Sequence, residues 1–392
     1  MKDFIYEGPV RIIYGAGQFD FVINEIAKLG KKVLIISGKS FSTGGHLGKL
    51  TSKLEQAGIS FFTFENVSAP MLSKVNEGIE ICKKESIEAV IGIGGGVCMD
   101  VAKAIALGAL HPETPIEQYL TYQVPTDGLS HLPVVTIPTN PMSGSETNAD
   151  VQITFDESGL QAGCAVGCAK FTWLNPEYMI SLPASVLSYG QMTAFIQLSF
   201  NYLTPSRSML AERYSEASMK TILDCLRTSI ADPADLESRG TLLLNSALSL
   251  SGINDLGRDF EFIPYPLQSF AQRYLGISYP QALTGLFPYW LKEIYHASCD
   301  KAIFYRYFEA ILGISIDGKE DETLLEEALT ALVNLYHEFG IATCYKELKE
   351  NPHDRQKLME IIDSFGPMQS LFMEVTTEKL ADIIDEAIEG LS

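Results

Sequence analysis

The chain of 392 residues predicts an α/β half with a doubly wound parallel sheet, followed by an all-α half. Three observations predict it. From the N-terminus to about residue 180, short apolar β-branched runs alternate with helical stretches, the grammar of strand–helix–strand units. One such run, Ala89-Val90-Ile91-Gly92-Ile93, enters Gly94-Gly95-Gly96-Val97-Cys98-Met99-Asp100 and leaves as a helix. Beyond Pro183 strand-like runs become few and helical periodicity dominates to the end. The boundary is expected near 180–184, giving domains 1–183 and 184–392.

The elements follow in order. Residues 4–14 alternate and stop at Tyr14-Gly15-Ala16-Gly17, a strand and a turn. A helix is expected over 19–29, closed by Gly30. Val33-Leu34-Ile35-Ile36 reads as a buried strand that ends at Ser37-Gly38-Lys39. A helix over 47–57 stops at Gly58; a strand over 61–64 and a helix over 75–85 follow. After the glycine turn, Val134-Val135-Thr136-Ile137-Pro138-Thr139 is a strand. It runs into a polar loop from Asn140 to Asn148, and 150–154 and 171–174 resume extended character.

The glycine turn is the chemical centre of this pattern. A strand, a tight turn and a helix start aim free backbone N–H groups at an anion, with the helix dipole behind them. Glycine lets a diphosphate come close to the backbone. The sixth position is Val97, so the run departs from G-x-G-x-x-G. The competing reading is a tight turn that binds nothing.

Composition limits the partners. Hydrophobic residues make up 46% and charged residues 20%, as in globular proteins generally. The net charge of −20 provides no basic field for phosphates, so neither nucleic acid nor an anionic membrane is expected. The seven cysteines lack regular spacing, which predicts reduced thiols in a cytoplasmic protein. Met1-Lys2-Asp3-Phe4 carries no leader pattern, and no 18-residue apolar run exists. A small-molecule substrate is expected, and a homodimer is one expected assembly.

Three stretches carry a family resemblance. GGGVCMDVAKAIA resembles the GGGSxxDxAK stretch of the iron-containing (group III) alcohol dehydrogenases. TIPTNPMSGSETNADVQIT resembles their P-T-x-x-x-[ST]-G-S-E loop, and LNPEYMISLP their D-P-E-x-x-x-x-L-P segment. The resemblance implies a Rossmann-like N-terminal domain and an α-helical C-terminal domain, the dehydroquinate synthase-like fold of that family. It implies NAD(P) and a divalent metal between them, and hydride transfer between a nicotinamide and a primary alcohol or aldehyde. Cofactor contacts would come from Gly94, Gly95, Gly96 and Val97, with Asp100 in the turn of the helix. Thr139, Asn140 and Ser143 would line the groove, and Lys170 matches a lysine near the nicotinamide ribose.

Two departures follow. The family binds its metal through an Asp and a His at i, i+4 on one helix face, and through two later histidines. Those positions fall on Met192, Ile196, Tyr265 and Tyr279, and no histidine lies between His131 and His296. Such residues do not hold iron or zinc in an oxygen and nitrogen site, so no metal is expected. In NAD-preferring members an acid follows the second strand. Here Gly38 stands there with Lys39 beside it, which leans towards NADP over NAD. Two readings stay open. One is a metal-independent NAD(P)-dependent oxidoreductase favouring carbonyl reduction, with Tyr265 and Tyr279 as hydrogen-bond donors. The other is a nucleotide-binding relative that has lost its chemistry, the tyrosines being aromatic packing.

Overall fold

The computed structural model describes residues 1–4, 6–8, 10–142, 144–349 and 354–391. The chain forms two compact units. An α/β unit comprises Glu7–Leu182 and Cys225–Ser251; a helical unit comprises Met1–Tyr6, Pro183–Asp224 and Gly252–Ser392.

The α/β unit contains β1 (Arg11–Tyr14), β2 (Lys32–Ser37), β3 (Ser60–Phe64), β4 (Ala89–Gly94) and β5 (Val134–Pro138). A short antiparallel pair follows, β6 (Ile153–Thr154) and β7 (Gln161–Ala162), and then β8 (Phe171–Leu174). Six strands make one parallel sheet in the order β1-β8-β5-β4-β2-β3. Helices α1 (Phe19–Leu29), α2 (Lys39–Thr43), α3 (His46–Gln56), α4 (Leu72–Glu85), α5 (Gly96–Leu110) and α6 (Ile116–Leu120) connect them.

β2 shows why the strands read as unbroken apolar runs. Leu34 and Ile36 join a core with Val75, Ile79, Val101 and Ile105 of α4 and α5. Val33 and Ile35 join a second core with Val22, Ile26, Leu50 and Leu54 of α1 and α3. Alternate side chains thus enter opposite faces, both covered by helices. Each such buried aliphatic side chain is worth about 1.5–3 kcal/mol.

The strand order fixes where a ligand sits. β3 flanks β2 on one side and β4 on the other. Successive crossovers therefore part between β2 and β4, the switch point where open α/β sheets bind ligands at the strands' carboxyl ends. Ser37 pairs with Ile93 there.

The helical unit is built from α7 (Ala184–Tyr202), part of α8 (Met209–Ala231), α10 (Pro264–Leu275), α11 (Tyr279–Ala297), α12 (Ala302–Ala310), α13 (Asp321–Glu338), α14 (Arg355–Asp363) and α15 (Thr377–Glu389). Between α8 and α10 lies α9 (Leu236–Ser249), which belongs to the α/β unit with the end of α8. α11 is the central helix and packs on α7, α10, α13 and α15. Its Leu283, Leu286, Phe287 and Trp290 are fully buried. A capping box of Ser278 and Gln281 starts it, and Gly276, at φ 67°, ends α10 just before. Among the described residues, no helix is long and apolar enough to cross a membrane.

Three local expectations change. The first strand is confined to Arg11–Tyr14, and 150–154 yields only the two residues of β6. The stretch after Gly38 forms a helical turn, α2. Residues 225–251 leave the C-terminal half for the first unit.

Candidate active site

β4 ends at Gly94 with φ 148°, a backbone angle that L side chains rarely adopt; a Cβ there would lie 2.7 Å from Cys98 Sγ. One turn earlier, a Cβ on Gly92 would meet Ala102 Cβ at 2.9 Å, so the glycine lets α5 lie close on its own strand. Gly95, the N-cap of α5, differs from both. Its backbone is extended (φ −79°), and a Cβ there would meet only Asn140 Cβ, at 3.9 Å. The space in front of it is open.

The groups around that space converge from three strands. Gly38 N–H donates to Ile93 O (3.2 Å) and Thr139 N–H to Gly94 O (2.9 Å), which tie the ends of β2 and β5 to β4. Cys98 N–H turns back to Gly95 O (3.1 Å). The amides of Gly96 and Val97, in the first turn, have no helical acceptor. Asn140 Oδ1 is buried and has no hydrogen-bond partner among the described residues. An open space in front of Gly95, floored by first-turn amides, suits a dinucleotide diphosphate. The Cys98 thiol beneath the turn is pushed up to about 12 by burial and stays protonated. Lys170 is exposed at the start of β8. Ser143 lies outside the described residues.

Asp100 takes a different part from the one expected. Its carboxylate accepts from Ser145 Oγ (2.5 Å) and Gln152 N–H (3.1 Å), and Lys103 Nζ stands 3.8 Å away. Lys103 is buried and donates to Ser145 O (2.9 Å), Asn148 O and Oδ1 (both 3.3 Å) and Asp150 O (2.6 Å). Burial drives Asp100 up and Lys103 down towards their neutral forms, and their mutual attraction opposes both shifts. The pair fastens the loop at 145–152 to α5. Asp100 binds this loop through both of its carboxylate oxygens.

The same loop is held from the other side by α9. A Cβ on Gly144 (φ 62°) would lie 2.9 Å from Leu250 Cβ, and Thr147 Oγ1 donates to Ala247 O. This clamp, with the Arg239 guanidinium donating to Met179 O, ties α9 to the α/β unit. Glu146 is caught inside, 1% exposed, with Oε1 unpartnered among the described residues. Burial raises it to about 7, while nearby Lys103 pulls the other way. The folded chain therefore holds this proton more tightly than the unfolded one. Its stabilising contribution is full below about pH 4.5 and is lost as pH rises through about 7, an effect on the order of 3 kcal/mol. Glu146→Gln is expected to raise the melting midpoint at about pH 8 and leave it nearly unchanged at about pH 4. Paired melts at the two pH values check this; an equal shift at both would refute the titration.

In the helical unit, Met192 and Ile196 are fully buried among the apolar residues of α7. The α7 side chain that reaches Tyr279 is Gln197, whose Nε2 donates to Tyr279 Oη at 3.2 Å. Thr193 is its i, i+4 companion, and Thr193 Oγ1 donates to Tyr189 O (2.8 Å). Tyr265 is packed by rings: it stacks on Phe260 (5.5 Å) and meets Phe200 edge-on (6.0 Å). Glu261 is committed elsewhere, accepting from Leu371 N–H (2.8 Å), Ser370 Oγ (3.1 Å) and Ile263 N–H (3.2 Å). Asp259 is paired with Lys2. Met192, Ile196, Tyr265 and Tyr279, at the positions that the resemblance assigns to the metal ligands, carry neither carboxylate nor imidazole. Such residues do not fit a divalent cation.

Comparison with known proteins agrees with this geometry. Residues 9–175 match the family described as iron-containing alcohol dehydrogenase. The NADH-dependent butanol dehydrogenase A of Clostridium acetobutylicum is 25% identical over 355 residues, covering 89% of this chain and 90% of that protein. The NADPH-dependent aldehyde reductase YqhD of Escherichia coli is 22% identical, covering 94% and 95%. A crystal structure of NADH-dependent butanol dehydrogenase A from Thermotoga maritima superposes with a TM-score of 0.91 at 26% identity, covering 99% of each chain. Residues 9–175, which hold the glycine cradle at the sheet's switch point, match the iron-containing alcohol dehydrogenase family, and the fold of the Thermotoga maritima enzyme is matched along the whole chain.

Proposed function

We propose that this protein reduces small, electron-poor aldehydes or ketones with NAD(P)H, preferring NADPH, and does so without a bound metal. The family match and the alcohol dehydrogenases and aldehyde reductases it resembles support an oxidoreductase of that type. The observation that carries the reading is the open cradle in front of Gly95, where Gly96 and Val97 amides would hold the diphosphate. Bound NAD(P)H supplies the hydride. Gly38 brings no acid to the end of β2, and the exposed Lys39 follows it, which favours a 2′-phosphate.

The donor set decides the direction. A metal contributes several kcal/mol as a Lewis acid, while one well-placed donor contributes about 3–4 kcal/mol. Alcohol oxidation must stabilise an alkoxide, which a neutral phenol does poorly. Carbonyl reduction needs a proton at one oxygen, and Tyr279 Oη is the donor we assign; Tyr265, held between two rings, is the lesser candidate.

The test uses tag-free protein and a panel of electron-poor carbonyls. Consumption of NADPH that survives a chelator, exceeds that of NADH, and is absent in reverse with ethanol, butanol or propanediol is the expected result. Stoichiometric iron or zinc that resists dialysis, with activity lost to the chelator, overturns the metal-free mechanism. If NADPH binds but no carbonyl is reduced, the chain is a nucleotide-binding relative without turnover.

A further inference from the structure

We propose that Glu146 is the positioning residue for the loop after β5: protonated, it stays enclosed and keeps Asn140 beside Gly95; ionised, it lets the loop go. This rests on the reading of the Gly95 cradle as the NADPH site and adds a control to it.

All the groups concerned lie in the α/β unit. The chain leaves β5 at Thr139, whose N–H is held by Gly94 O, and passes Asn140, whose Cβ stands 3.9 Å from where a Gly95 Cβ would lie. Further on, at Ser145 to Thr147, three elements close on it. Thr136 Oγ1 of β5 donates to Glu146 O (3.3 Å). From α5, Lys103 Nζ donates to Ser145 O (2.9 Å), and Asp100 accepts from Ser145 Oγ (2.5 Å). The end of α9 offers Ala247 O to Thr147 Oγ1 and sets Leu250 against Gly144. The Glu146 side chain is shut inside, 1% exposed, and its Oε1 has no partner among the described residues.

A neutral carboxyl fits this enclosure and a carboxylate does not. Lys103 and Asp100 of α5 are the charged groups that face Glu146, and Asp150 and Cys168 lie around the same lysine. β5 and α9 present Thr136, Ala247 and Leu250, none of them charged. Lys103 has three N–H donors and already serves Ser145 O, Asn148 O and Oδ1, and Asp150 O. It has no hydrogen bond left for Glu146. Ionisation would therefore add a second buried carboxylate near Asp100 with one cation to balance both, which favours moving the new charge into water. Gly144 already lies against Leu250, so relief comes from lifting the loop outward.

The changeover falls in a working range. Burial pushes Glu146 up to about 7, against the opposing pull of its own N–H and of Lys103. The loop is gripped on the acid side of that value and released on the alkaline side. Stability alone does not explain a glutamate here. Glutamine or methionine would fill the space with no proton to lose; what either would remove is the response to pH.

The experiment compares wild type with Glu146→Gln. NADPH is titrated by fluorescence at about pH 6 and about pH 8. The ratio of the wild-type to the variant Kd is expected to rise about tenfold from the lower pH to the higher. Taking the ratio removes the ionisation of the cofactor's own 2′-phosphate, which both proteins meet alike. Hydrogen exchange without cofactor reads the loop directly. The Thr147 amide, bonded to Gly144 O, and the Val151 amide, bonded to Cys164 O, should exchange about tenfold faster in wild type than in the variant at the higher pH, and at similar rates at the lower. A residue that only filled space would give no such pH-dependent difference. Melting curves confirm folding, and Glu146→Met takes over if the glutamine variant does not fold. A Kd ratio that changes less than twofold between the two pH values overturns the positioning role, and equal exchange at the higher pH overturns the release. Failure of the wild type to bind NADPH at either pH is a distinct result: it removes the cofactor reading itself, and the positioning role with it.

Discussion

Gly95→Val abolishes binding of NADPH and NADH alike while the protein stays folded. The backbone at Gly95 is extended, φ −79°, which valine adopts freely. A Cβ there meets nothing closer than Asn140 Cβ at 3.9 Å, so no clash forces the chain apart. The cost to stability is that of a poorer helix cap, about 1 kcal/mol. The cost to binding is far larger. The two γ-methyls would occupy the space in front of the Gly96 and Val97 amides, and each charge-assisted hydrogen bond lost there is worth about 1.5–3 kcal/mol. An affinity drop of at least about 100-fold is expected in a fluorescence titration. Gly94→Val is the contrasting variant. With φ 148° and Cys98 Sγ at 2.7 Å, it fails by unfolding, and melting curves separate the two. Unchanged affinity in Gly95→Val would remove the diphosphate from this turn.

Lys103→Met destabilises the α/β unit by about 3–5 kcal/mol, because it breaks a buried ion pair from one side only. Three carbonyls and the Asn148 amide oxygen lose their donor, and Asp100 is left beside Asp150 without its compensating charge. A chemical denaturation midpoint reads the loss. Adding Asp100→Asn to Lys103→Met should recover part of it, since the stranded charge goes too. No recovery would mean that Lys103 acts through its four acceptors and hardly through Asp100. NADPH affinity should fall in the single variant as well, because the loop at 145–152 is fastened by this lysine.

Much of the α/β unit was legible because its signals are local. Val33 to Ile36 and Ala89 to Ile93 are apolar on both faces, and glycine stands where the backbone turns or approaches closely. Composition alone could not show what depends on partners distant in sequence. Asp100 reads as a turn residue near a phosphate, and its bonds to Ser145 and Gln152 join it to residues some fifty positions along the chain. The available clue was Lys103, a lone cation within Val101-Ala102-Lys103-Ala104-Ile105, where only a paired charge is tolerated. The contacts of α7 are hard to read from sequence because the helix is buried on nearly every side from Leu187 onward, and no polar face stands out to set its rotation. α9 has an ordinary amphipathic pattern, and periodicity does not say which core its apolar face will join.

That last placement governs how the protein emerges during synthesis. The chain passes between its two units four times, at Tyr6–Glu7, Leu182–Pro183, Asp224–Cys225 and Ser251–Gly252. A ribosome that has released residues 1–183 has delivered every strand of the sheet but not α9, the element that grips Gly144 and Thr147. The nascent α/β half must wait, its loop ungripped, until residue 251 clears the exit tunnel, and by then α7 and all of α8 are already outside. Maturation of the two halves is therefore interleaved in time, unlike the domain-by-domain sequence of chains cut once by a linker.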